Sequence, residues 1–160
     1  MEGKKGALLG FLAAQRASVL AIIDGLDDAA LTGKVPPLGW TPLGMVEHLE
    51  YAERHWFQEV LTGSAEPLSW PDDDHTPLNT PRPPSVVFAF YRDQCRRSDA
   101  ILATTPLTTP AVGRHDGPDA DEFVDARRIV LHMIEETARH AGHLDIGREL
   151  IDGKTGLGPR

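Results

Sequence analysis

Four stretches of the chain place apolar residues at the three-to-four-residue spacing of an amphipathic helix. The first runs from about Lys4 to Leu26, with Leu8, Leu12, Val19, Ile22, Ile23 and Leu26 on one stripe. The second opens at Trp40. Thr41 suits the N-cap, Pro42 stands at the first helical position where its missing N–H costs nothing, and Gly63 offers a stop. The third repeats at Val87, Tyr91, Gln94, Ser98 and Ile101, between the pair Pro83-Pro84 and Pro106. The fourth is predicted to start near Asp121, whose carboxylate complements a helix N-terminus, and to run past Ile146 to about Asp152-Gly153.

Proline, glycine and acidic residues fill the intervals. "SAEPLSWPDDDHTPLNTPRP" has no helical period, and "TTPLTTPAVGRHDGPDAD" resembles it in composition. Connections this long inside a compact domain are usually functional or mobile. No internal repeat and no convincing strand is visible. The expectation is an all-α fold, a four-helix bundle with long loops, formed as a single domain by residues 1–160.

The fourth stretch breaks the apolar rule. At about 100° per residue, Ile129, Met133, Glu136, His140, His143, Gly147 and Ile151 share a narrow stripe that should face the core. Glu135, Arg139, Asp145 and Arg148 fall beside or opposite it. On the second stretch His48 shares a face with Met45, Ala52 and His55, while Glu47, Glu50 and Arg54 are expected to point away. A buried carboxylate must be paired, protonated or bound to a metal. Glu136 and His140, one turn apart, can share an ion with His48 from the facing helix. Two neutral imidazoles and a carboxylate suit Zn²⁺, Ni²⁺, Fe²⁺ or Mn²⁺, and three ligands leave positions open for water or substrate, as catalytic sites do. The competing reading is a hydrogen-bonded structural network. For His143 and His55, supporting or purely structural roles compete with ligation.

Composition narrows the classes of function. A formal charge of -8 argues against a nucleic-acid surface, and the pairs Arg96-Arg97 and Arg127-Arg128 are flanked by acids. No run reaches the ~18 consecutive apolar residues of a membrane span. The basic start and apolar run at the N-terminus suggest a signal peptide, but Gln15 and Arg16 interrupt it and its helical period fits a first bundle helix better. The single cysteine, Cys95, is consistent with a reducing cytoplasm and is expected to be half-buried and structural.

The stretches "WTPLGMVEHLEYAERHWF" and "LHMIEETARHAGHLDIGRELIDG" resemble the DinB/YfiT-like family of metal-binding four-helix bundles, and the likeness extends over nearly the whole chain. The family pattern has one histidine on helix two, matched by His48, and an H-x-x-x-H pair on helix four. Here "HAGHL" supplies the second of these at His140, and Glu136 stands where the first would be. That departure is similar to the metal-binding domain of mycothiol-dependent maleylpyruvate isomerase, which implies zinc foremost as the ion. The chain leaves no room for that enzyme's additional domain, so its isomerase reaction is not carried over.

The resemblance implies a thiol-dependent transferase, with a low-molecular-weight thiol of the mycothiol type and a small electrophile as partners, and a homodimer. In that setting His143 would orient a ligand or shuttle a proton, acting catalytically beside the ion. Trp40, Trp70, His75 and His115 would shape the mouth, and Trp56 and Phe57 would belong to the core. A metal-dependent hydrolase and a non-catalytic, metal-binding or stress-responsive bundle are the alternatives.

Overall fold

The computed structural model describes residues 2–71 and 78–156. Its four long helices are α1 (Glu2–Ile23), α3 (Pro42–Glu53), α4 (Pro84–Thr104) and α5 (Ala126–Asp152), and the short α2 (Asp28–Thr32) lies in the first loop. Helix α3 continues without interruption into a π-helical segment, Arg54–Thr62, and a 3₁₀ turn, Ala120–Glu122, precedes α5. Helix α1 packs along α5, while α3 packs between α4 and α5. Among the described residues no strand forms beyond a single antiparallel bridge between Pro110 and Asp125. The architecture is an all-α bundle of the DinB type.

Local chemistry explains the boundaries. Thr41 caps α3 by accepting from Gly44 N at 2.9 Å, and Gly63 and Gly153 end their helices at φ 72° and 76°, values that disfavour side chains. Helix α5 starts five residues later than the sequence suggested. Asp125 is its N-cap, accepting from Arg128 N at 3.0 Å. Asp121 instead lies in the 3₁₀ turn, exposed and paired with Arg114 at 3.0 Å. An aspartate that caps is favoured over one that only neighbours the helix dipole.

Two apolar clusters fill the interior. Val19, Ile22, Leu43, Met45, Leu49, Val87, Tyr91 and Leu144 form one, and Leu12, Trp56, Phe57, Leu102, Ile129 and Met133 the other. Trp56 and Phe57 are thus core, as expected. Helix α1 is long and apolar enough to cross a membrane by length and composition alone. Its stripe of Leu12, Val19, Ile22 and Ile23 is nevertheless buried in the bundle. Buried Arg16 is held between Glu53, at 2.7 Å to each carboxylate oxygen, and Asp99, also at 2.7 Å.

Two side chains expected to point outward, Glu47 and Glu50, are buried, and so is Glu53 further along the same helix. Glu47, Glu50 and Glu53 lie on the side of α3 away from His48 and are almost wholly inaccessible. Thr80 and Arg82 cover Glu47, and Ser98 of α4 with Arg16 of α1 covers Glu53, so this side of α3 is closed to ordinary solvation. Arg148, also expected at the side, is buried and donates from Nη1 to the carbonyls of Ile22 and Asp24, 2.9 and 2.7 Å away. It therefore satisfies orphan acceptors at the C-terminus of α1.

Candidate metal centre

Helices α3 and α5 bring His48, Glu136 and His140 together. His48 Nε2 and His140 Nε2 each stand 3.0 Å from the same oxygen, Glu136 Oε1. The two rings meet edge to face with centroids 4.7 Å apart. One ligand atom from each residue lies within 4.8 Å of the other two. Side-chain exposure falls from 40% at His48 through 21% at Glu136 to 13% at His140, so the group opens to solvent on the α3 side and is closed beneath.

The electrostatics are those of a carboxylate held ionised. Hydrogen bonds first from His140 and then from His48 outweigh burial and hold Glu136 well below the usual carboxylate range. Among the described residues no Arg or Lys pairs with it. A part-buried anion whose partners are two imidazole nitrogens, with no fixed cation, has the donor set of a divalent transition-metal site. The three residues fit such an ion.

His143 does not face the core. It is exposed, and its Nδ1 lies 3.2 Å from Nδ1 of His140, on the side of that ring away from Glu136. Three residues beyond His140 is less than a full turn, which rotates His143 past the edge of the seam. His132, one turn before Glu136, packs against Trp56 and Phe123 at centroid distances of 4.5 and 5.0 Å. Burial is the main cause that lowers its pKa, so this imidazole is neutral near pH 7.

The aromatic residues of the loops are tied to the scaffold. Trp40 covers Gly147, where a β-carbon would sit 2.6 Å from its ring. Trp70 donates to Tyr51 Oη at 2.8 Å and lies under the Arg82 guanidinium. His115 meets His55, and His75 lies outside the described residues. Cys95 is part-buried, and burial first, then the Glu53 charge, pushes its thiol up to about 12, which makes it inert as a nucleophile.

Sequence reasoning missed two groups. Among the described residues Glu50 has no hydrogen-bond partner on either oxygen. Burial first, then the neighbouring Glu47 charge, raises its pKa to about 9, with Arg82 opposing. The second group is Glu59–His55–His115, in which His115 lies 60 residues from His55 and reaches it through a loop. The only early signal for it was a histidine inside a long connection.

Fold and site together define a DinB/YfiT-like bundle with a convergent His/Glu/His group. The family model for mycothiol S-transferases matches residues 7–153, and the chain belongs to that family. A comparison with curated proteins gives no match.

Proposed function

We propose that the protein is a metal-dependent S-transferase that joins a low-molecular-weight thiol of the mycothiol type to a small electrophile. The observation that carries this reading is the convergence of His48 Nε2 and His140 Nε2 on Glu136 Oε1 at 3.0 Å in a chain of this family. His48, Glu136 and His140 hold the ion, with zinc foremost. A divalent ion there would supply the Lewis acidity that makes a thiol, ordinarily titrating at about pH 8.5, available as thiolate at neutral pH.

The protein's own residues provide the rest. Glu136 contributes the one negative charge of the ligand set, and the buried floor beneath His140 keeps water from that side. To offer the Nε2 lone pair, His140 must carry its proton on Nδ1, and that N–H donates to His143 Nδ1 3.2 Å away. Of the two roles expected for His143, this supports orientation, exerted through His140. The exposed flank beside His48 is where thiol and electrophile would meet. A reducing cytoplasm is the compartment this chemistry requires, and a homodimer remains the family-level expectation.

The test is consumption of mycothiol and chlorodinitrobenzene by the purified protein. The reading expects both to fall together, and the rate to collapse in His48→Ala. Loss of electrophile without thiol would make the protein a hydrolase, and loss of neither would leave a non-catalytic bundle.

A further inference from the structure

The π-helical segment Arg54–Thr62 builds a second polar constellation. With i→i+5 hydrogen bonds the turn widens, and residues four and five apart stand above one another. Glu59 therefore meets both His55, Nδ1 to Oε2 at 2.8 Å, and Arg54 through its other oxygen. The 105–125 loop is pinned to the end of the same segment. Val112 N donates to Leu61 O at 3.1 Å and Gly113 N to Val60 O at 2.8 Å. A β-carbon at Gly113 would collide with the Glu59 carbonyl, so this approach demands glycine. The loop delivers His115, whose Nδ1 lies 2.9 Å from His55 Nε2.

Proton positions follow from the acceptor at the inner end. An ionised carboxylate only accepts, so His55 donates from Nδ1–H. Neutral His55 then presents a lone pair at Nε2, and His115 donates to it from Nδ1–H. The outer nitrogen, His115 Nε2, is left with a lone pair. The pair is not a metal chelate. The ring centroids are 5.2 Å apart with the facing nitrogens at 2.9 Å, so the rings point at each other. An ion on that axis would need about 4 Å between the nitrogens, at about 2.0–2.1 Å to each.

His115 also lines a cavity of about 310 Å³ with Val60, Arg114, Asp121, Phe123 and Val124, one wall apolar and the other carrying the Arg114–Asp121 pair. A side chain at Gly117 would stand 2.7 Å from His115 Nε2, so glycine keeps that nitrogen clear. Asp119 Oδ1, 3.8 Å from the same nitrogen, favours a positive charge there, while Arg54 opposes it at the far end through Glu59. Arg114 is exposed and, among the described residues, is paired with Asp121 alone, an arrangement easily exchanged for an anionic ligand.

We infer that Glu59, His55 and His115 form a proton relay ending in a second small-molecule site, separate from His48, Glu136 and His140. Its ligand is a small apolar molecule bearing one acidic hydroxyl, such as an activated phenol. The O–H bond breaks as its proton passes to His115 Nε2. The resulting imidazolium is stabilised through His55 by Glu59, and the phenolate oxygen stays beside it within reach of Arg114.

The probe is 4-nitrophenol, whose ionisation is visible by absorbance, added to wild-type protein below the free phenol's own pKa. Saturable appearance of the phenolate spectrum is expected in wild type and in His140→Ala. It should be absent in His115→Gln and about tenfold weaker in Glu59→Gln, as loss of a hydrogen bond to a charged group implies. Nitrogen-15 spectra of the unmodified protein should show His55 and His115 both protonated on Nδ1, a readout that needs no variant to fold. Nε2 protonation of both rings, or no phenolate spectrum in wild type, overturns the proposal. A phenolate spectrum lost in His140→Ala and kept in His115→Gln also overturns it, placing the phenol at the His/Glu/His group.

Discussion

Helix α3 carries ionisable side chains on opposite sides, and the bundle treats them differently. On one side His48 reaches across to Glu136 and His140, with no fixed cation among their described partners and a flank open to solvent. On the other, Glu47, Glu50 and Glu53 are buried, with Ser98 of α4 and residues Thr80 and Arg82 against them. Arg16 and Ser98 take Glu53, the latter at 2.6 Å. Thr80 and Arg82 take Glu47. Glu50, between them, has no hydrogen-bond partner among the described residues, and burial keeps its proton on. Burial of acids alone is therefore no sign of a metal. Convergent ligand atoms, no fixed cation among the described residues and an open flank distinguish the first group, and the second solves the same electrostatic problem with guanidinium and protonation.

The comparison breaks most visibly at Arg16. Removing one member of a buried ion pair leaves an uncompensated charge, so Arg16→Met should cost about 3–5 kcal/mol in a urea unfolding midpoint. A loss below about 1 kcal/mol would mean that Glu53 is not held as a buried ion.

Glu50 sharpens the contrast through pH. Its folded pKa of about 9 lies above the ordinary 4.5, so between these values the folded state holds a proton that the unfolded chain has released. Stability from this group therefore falls as pH rises, by up to about 1.4 kcal/mol per unit. Glu50→Gln should remove that slope when unfolding is followed from mildly acidic to mildly alkaline buffer. Parallel slopes in the two proteins would contradict a protonated Glu50.

His143→Gln should weaken metal binding by about 10–100-fold while leaving the helical signal intact, because only the partner of His140 Nδ1 is altered. Unchanged affinity by competition with a chelating dye would remove His143 from the site. The smallest effect is expected at Thr41→Ala, about 1 kcal/mol of stability from the lost N-cap, with no change in metal affinity.

The helices were legible because their periodicity and caps are local properties. Thr41, Pro42 and Gly63 mark α3 and its extension, and Val87, Tyr91, Gln94 and Ser98 face inward as their spacing implies. His48, Glu136 and His140 were legible for the same reason, as inward positions on two helices. Glu47, Glu50 and Arg148 were not, because their burial depends on neighbours that periodicity does not specify. The π-helical turn under His55 and the loop path that brings His115 to it are likewise tertiary outcomes. A histidine amid proline, glycine and aspartate carries no signal of its partner.

The convergent group on α3 and α5 is proposed to hold a metal ion. Elemental analysis of tag-free protein purified without chelator, wild type beside His140→Ala, tests it most directly. About one equivalent of a transition metal is expected in wild type and its loss in the variant, with the helical circular dichroism of both alike. No metal in wild type after zinc or nickel is offered, or equal metal in both proteins, would contradict it and leave the seam a hydrogen-bonded network.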